Sequence, residues 1–181
     1  MRGNHDTRGA FAEHLLDYVG NDKGCTYFPI RLGRLWFVLL DAGEDKPDEH
    51  EEYGDIADYS AMRQAQIEML EEIIDNPDKE YKADDVELRI ALSHVPLHCS
   101  KNFPEMFAKW TELLNKMGIH VMLAGHTHRV LFTTPENSPF DIPKHNFPCV
   151  ECSAIDKKYF DLYRNSAYYR KGENNRSLYR C

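Results

Sequence analysis

Three short segments concentrate histidine together with other side chains that bind metal ions or transfer protons. They read GNHD at residues 3–6, SHVPLH at residues 93–98 and GHTH at residues 125–128. Five of the nine His residues lie in them, at positions 5, 94, 98, 126 and 128. Imidazole nitrogen and the amide oxygen of Asn are ligands for divalent metals, and a His with a pKa near neutrality can also transfer a proton. The pattern therefore indicates metal binding, acid–base chemistry or both.

Each segment also has an ordinary structural explanation when it is taken alone. A single His after a strand is most often a surface residue or a hydrogen-bonded core residue, GHTH can be an exposed turn, and GNHD can be an Asx turn before a helix. Their joint occurrence favours a site, because all three follow a strand or a presumed strand of one α/β pattern. The remaining His residues lack this context and are interpreted as structural or solvent-facing; they are His14, His50, His120 and His145.

The elements that must position these segments follow from the hydrophobic pattern. It predicts helices over residues 8–19, 60–75 and 102–117, and strands over residues 25–30, 34–41, 87–93, 119–124, 130–133 and 147–153. Gly33 should turn the first two strands into a hairpin, and Gly118 should end the third helix. Residues 156–180 alternate with period two and predict a closing strand or hairpin. The alternation of strands and helices predicts a layered α/β domain.

Composition and charge narrow the classes of partner. Apolar residues make up 42% of the 181 residues, and no apolar run is long enough to cross a bilayer, so we expect no membrane partner. The net charge is −8, so the chain lacks the positive electrostatic field that attracts nucleic acid, and we do not expect a general nucleic-acid binder. Cys149 and Cys152 form one C-x-x-C without a second pair, which predicts reduced thiols. We interpret the acidic residues 44–58 as a solvated loop, although a loop after a strand can border a site.

In this order, the three segments resemble the C-terminal motifs of the calcineurin-like metallophosphoesterases. The resemblance runs from residue 3 to about residue 132, and we extend it to one domain over residues 1–181. It implies part of a four-layer α/β/β/α sandwich around a two-metal centre. It also implies hydrolysis of a phosphomonoester or phosphodiester by metal-bound hydroxide, with two divalent ions of the Mn, Fe or Zn type as cofactors.

The resemblance further implies a role for individual residues. Asn4, His94 and His126 correspond to ligands of one metal ion, and His128 corresponds to a ligand of the other. His5 corresponds to the His that contacts the phosphoryl group and assists the leaving oxygen. The orienting partner of that His corresponds to Asp6, whereas His98 has no fixed family role and could line the substrate pocket.

One departure from the family pattern changes the expectation for this chain. An Asp-x-His and a Gly-Asp precede GNHD in the family, but only Met1 and Arg2 precede it here. We therefore expect the C-terminal portion of the domain without its N-terminal strands, at most one weakly held metal ion, and doubtful activity. Exposed sheet edges would favour a homo-oligomer. The expected substrate is a small phosphoester rather than nucleic acid, and a catalytically inactive metal-binding or regulatory module on the same scaffold is the alternative.

Overall fold

A six-stranded mixed sheet organises the chain. The computed structural model describes residues 1–19, 21–53, 58–138 and 144–152. The strands are β1 (Phe28–Leu32), β2 (Leu35–Leu40), β3 (Leu88–Ser93), β4 (Val121–Ala124), β5 (Leu131–Thr133) and β6 (Cys149–Glu151). Their spatial order is β1-β2-β3-β4-β6-β5, with β2, β3, β4 and β6 parallel and the two edge strands antiparallel. The carboxyl ends of four strands therefore meet at one edge of the sheet.

Two long helices cover one face of this sheet. After the single turn α1 (Leu16–Val19), they are α2 (Ser60–Asp75) and α3 (Pro104–Met117). The core contains the apolar faces of α2 and α3 and alternate strand residues such as Trp36, Val38 and Leu40. Gly118 ends α3 with a φ of 63°, a left-handed conformation that glycine adopts without a side-chain clash. These observations confirm the α/β class, the β1–β2 hairpin and the two long helices.

The opposite face of the sheet is apolar and more exposed. One residue from each strand forms a register row across it, and the row consists of Phe28, Leu39, Leu92, Leu123, Val150 and Phe132. Ile30, Leu32, Leu35 and Phe132 on this face are 37% to 59% exposed. The described residues thus form one sheet and one helical layer of the implied four-layer sandwich.

Two predicted helix starts were wrong. Residues 8–19 form the 3₁₀ turn Ala12–His14 and α1 rather than one helix, because Gly9 has a left-handed φ of 87° and the apolar residues Phe11 and Leu16 are exposed instead of packed. The third helix begins at Pro104 instead of residue 102, and the Asn102 side chain donates to the Asp45 carbonyl.

The remaining predictions concern the thiols, the membrane and the tail. Cys149 and Cys152 are free thiols, as predicted. In the described ranges, no helix has the length and apolar character needed to cross a bilayer. The strand or hairpin predicted over residues 156–180 lies outside the described residues.

The exposed apolar face predicts self-association of this chain. Leu32→Lys combined with Phe132→Lys places charges at both edges of that face and should reduce the apparent mass measured by light scattering at high concentration. The matched control is Gln64→Lys with Asn137→Lys, which adds the same charge at two exposed polar positions. A monomeric unmodified chain under these conditions would contradict the prediction.

Candidate metal centre

The loops that follow β3 and β4 leave the sheet side by side. β3 ends at Ser93 and is followed by His94, and β4 ends at Ala124 and is followed by GHTH. The two strands are parallel neighbours, and the Gly125 amide donates to the His94 carbonyl at 3.0 Å. Both segments therefore lie at strand ends, as the sequence predicted.

Asn4 joins His94 and His126 in one cluster. Its Oδ1 lies 3.1 Å from His94 Nε2, and the His94 and His126 rings stand edge to face with their centroids 5.4 Å apart. Although Asn4 is close to the first residue of the chain, it is only 3% exposed. A Cβ atom on Gly3 would lie 3.1 Å from the His94 ring, so glycine permits this close approach. Residues from three segments that are distant in the sequence thus meet in one place.

Burial favours the neutral form of both clustered imidazoles. It is the main cause that lowers the pKa of His94, and neighbouring His126 lowers that pKa further, whereas Asp6 opposes the shift. Burial also lowers the pKa of His126, and the Asp45 carboxylate opposes it. The charges of His5 and His128 act on both rings, so residues of all three segments share one electrostatic environment. A neutral imidazole offers the lone pair that a metal ion requires.

The donor set of this cluster fits one divalent ion. Two imidazole nitrogens and one amide oxygen are three neutral donors, and three protein ligands leave further positions open for water or substrate. Within the part of the chain that the structure describes, no three His, Cys, Asp or Glu side chains are arranged to hold an ion. Asn4 Oδ1, 3.1 Å from His94 Nε2, is the non-imidazole donor of this cluster.

The other predicted site residues differ in exposure. His5 and Asp6 lie on the exposed side of the 3₁₀ turn Asn4–Thr7, and His128 is also exposed. The Asp6 carboxylate accepts the Gly3 amide at 2.8 Å and so caps this turn; its role toward His5 stays a prediction. The His98 side chain is only 6% exposed and its Nδ1 lies 2.8 Å from Glu151 Oε1; its place in a substrate pocket stays a prediction.

The acidic loop after β2 is anchored to the cluster, which corrects the interpretation of residues 44–58 as simply solvated. Glu44 is 2% exposed. Its carboxylate accepts two hydrogen bonds from Arg8 at 2.8 Å, and it also accepts the hydroxyls of Thr7 and Tyr53. Because Thr7 and Arg8 directly follow Asp6, this carboxylate fixes the turn that carries Asn4.

Asp45 contacts two residues of the cluster, and the sequence interpretation missed it. Asn4 Nδ2 donates to Asp45 Oδ1 at 3.1 Å, so the amide oxygen of Asn4 is turned toward His94. Asp45 Oδ2 lies 3.6 Å from His126 Nε2. The sequence does show that Asp45 follows a predicted strand. The hydrophobic pattern does not show that β2 pairs in parallel with β3, which is what brings Asp45 close to His94 and His126.

The GHTH loop has an unusual backbone. His126 and His128 have φ values of 70° and 55°, and a left-handed conformation at a non-glycine residue costs of order 1 kcal/mol. The Thr127 amide donates to the Gly125 carbonyl, and its hydroxyl donates to Glu151 Oε2, each at 2.8 Å. Glu151 was also missed, because a single Glu in a short strand carries no distinctive signal.

Comparison with known proteins identifies the family of this chain. The family model of the calcineurin-like phosphoesterases matches residues 1–130, which include all three segments. The chain therefore belongs to the calcineurin-like phosphoesterase family, a family of metal-dependent phosphoester hydrolases. No curated protein matched significantly.

Replacing Glu44 should weaken the anchoring of the Asn4 turn in a pH-dependent way. Burial alone raises the pKa of Glu44, but hydrogen bonds from Arg8, Thr7 and Tyr53 outweigh it and hold the pKa at about 2, below the ordinary value of 4.5. The carboxylate thus contributes stability that is present above pH 4.5 and is lost as the pH falls toward 2. Glu44→Gln should lower the free energy of unfolding in urea by about 2 kcal/mol at pH 7.

The control is Glu49→Gln, which changes an exposed carboxylate of the same loop and should shift the unfolding energy by less than about 0.5 kcal/mol. The Glu44→Gln penalty should shrink as the pH is lowered from 4.5 to 2. An equal penalty at pH 7 and pH 2 would contradict the assignment.

Proposed function

We propose that this chain is a metallophosphoesterase domain of the kind that hydrolyses a small phosphomonoester or phosphodiester at a dinuclear metal centre, and that it carries three ligands of one ion and one ligand of the other. The observation that carries the proposal is the cluster of Asn4, His94 and His126 at the carboxyl edge of the sheet. Three neutral donors from three distant parts of the chain converge there, and hydrogen bonds to the buried carboxylates Glu44 and Glu151 hold the segments that carry them. The proposed domain includes residues 1–181.

In this proposal Asn4, His94 and His126 hold one divalent ion, and His128 contributes to the second. Ions of the Mn, Fe or Zn type suit imidazole and amide donors. Bound metal ions would offset the charge of the ester and generate the nucleophile from water near neutral pH. The protein contributes the positions of the donors, which the parallel strands and the Asp45 contact to Asn4 determine.

His5 and Asp6 would complete the chemistry on the open side of the cluster. His5 is exposed on the turn that carries Asn4, so it can reach a phosphoryl group placed over the donors. There it would hold the proton that the departing alkoxide takes, and Asp6 would orient its ring. The net charge of −8 supports a small phosphoester over a polyanionic nucleic acid.

His126→Ala should remove metal binding from the chain. We expect the unmodified chain to bind at most one Mn²⁺ weakly in isothermal titration calorimetry, because Asn4, His94 and His126 are three ligands for one ion and His128 is one ligand for the other. His126→Ala should weaken that binding at least tenfold, since two protein ligands hold such an ion poorly. His128→Ala should change it little.

The matched control is His120→Ala. His120 precedes β4 at the opposite end from His126, is exposed and contacts Arg89.

Turnover of p-nitrophenyl phosphate by the unmodified chain should disappear in both His126→Ala and His5→Ala. Mn²⁺ binding that His126→Ala leaves intact would refute the site. Metal binding without any turnover would favour the inactive metal-binding module instead.

A further inference from the structure

One buried carboxylate contacts two of the three segments that form the site. Glu151 is the last residue of β6 and is 2% exposed. Its Oε1 lies 2.8 Å from His98 Nδ1, and its Oε2 accepts the Thr127 hydroxyl at 2.8 Å. His98 follows His94 by four residues, and Thr127 lies between two His residues of GHTH. The same side chain therefore joins the chain after β3 to the loop after β4.

The GHTH loop needs such support because its backbone is unfavourable. His126 and His128 both have left-handed φ values, which side-chain-bearing residues rarely adopt unless their surroundings enforce them. Thr127 sits between them, and its side chain points into the protein toward Glu151. Loss of that hydrogen bond would let the loop relax to ordinary φ values and move the His126 ring away from His94.

We infer that Glu151 is a positioning residue that fixes His126 relative to His94 through Thr127 and His98. The inference rests on the proposed function, because the spacing matters only if these imidazoles share a metal ion. A buried carboxylate is unfavourable unless hydrogen bonds compensate its desolvation, and an apolar side chain at the end of β6 would serve stability alone. Instead, one oxygen of Glu151 contacts His98 after β3, and the other accepts a hydrogen bond from Thr127 after β4.

The first measurement follows the loop in the metal-free protein. In Glu151→Gln the side chain keeps its shape but loses one acceptor oxygen, and in Thr127→Val the hydroxyl is lost. Both variants should speed amide hydrogen exchange of Gly125 and Thr127 at least tenfold by NMR. Thr111→Val is the matched control, because it removes a buried hydroxyl that donates to a carbonyl within α3. Exchange at Gly125 and Thr127 that stays unchanged in the first two variants would overturn the inference.

The second measurement tests whether the contacts of Glu151 change the affinity of the site for a metal ion. Outer residues that orient ligands change metal affinity by roughly 10–100-fold. The Kd for Co²⁺, measured from its visible d–d absorption, should rise by about that factor in Glu151→Gln and Thr127→Val, with an altered spectrum. The double variant should be no weaker than Glu151→Gln, since both changes act on the same contact between Thr127 and Glu151. Thr111→Val should keep the Kd and spectrum of the unmodified chain.

The two measurements separate the inference from the proposed function. An unmodified chain that binds no Co²⁺ would refute the proposed metal centre, while amide exchange would still decide whether Glu151 holds the loop. A loosened loop with unchanged Co²⁺ affinity would overturn the positioning role. If Glu151→Gln does not fold, Thr127→Val alone is used for both the amide-exchange and the Co²⁺-affinity measurement.

Discussion

The parallel pairing of β2, β3, β4 and β6 is the constraint on which the rest of the structure depends. Parallel strands end at the same edge of a sheet, so Asp45, His94, the GHTH loop and Glu151 emerge together although more than 100 residues separate the first from the last. The sheet also restricts the spacing of the loops, because adjacent strands lie about 5 Å apart. Ligands carried by neighbouring strands can therefore converge without a long or flexible connection.

Three carboxylates hold the neutral donors of the cluster from outside, and two of them, Glu44 and Glu151, are buried. Glu44 fixes the turn of Asn4 through Arg8, Asp45 orients the Asn4 amide, and Glu151 contacts the loops on the other side. Each carboxylate accepts hydrogen bonds from the chain, which offsets its desolvation. The negative charges therefore lie near the site but not on the donor atoms themselves. A divalent cation would bind to neutral ligands and would also be attracted by the surrounding carboxylates.

The sequence predicted the elements better than the contacts between them. Apolar runs located β2, β3 and β4, and Gly118 marked the end of α3, because local geometry determines both features. The helix over residues 8–19 failed, since the apolar spacing there has no packing partner and Gly9 adopts a left-handed conformation. Glu44 looks like any other carboxylate of an acidic loop; only its tertiary partner Arg8 distinguishes it from exposed Glu49. The site segments were found because their residue types are unusual, whereas Asp45 and Glu151 required the strand order.

The most direct test of the central claim is X-ray absorption spectroscopy at the zinc edge on the chain loaded with one equivalent of Zn²⁺. If Asn4, His94 and His126 bind the ion, the first shell contains two imidazole nitrogens and light oxygen donors at about 2.0–2.2 Å, without sulfur. His126→Ala should reduce the imidazole scattering to one ring. A sulfur shell at about 2.3 Å, as free thiols such as Cys152 would produce, or a shell of oxygen alone would contradict the account.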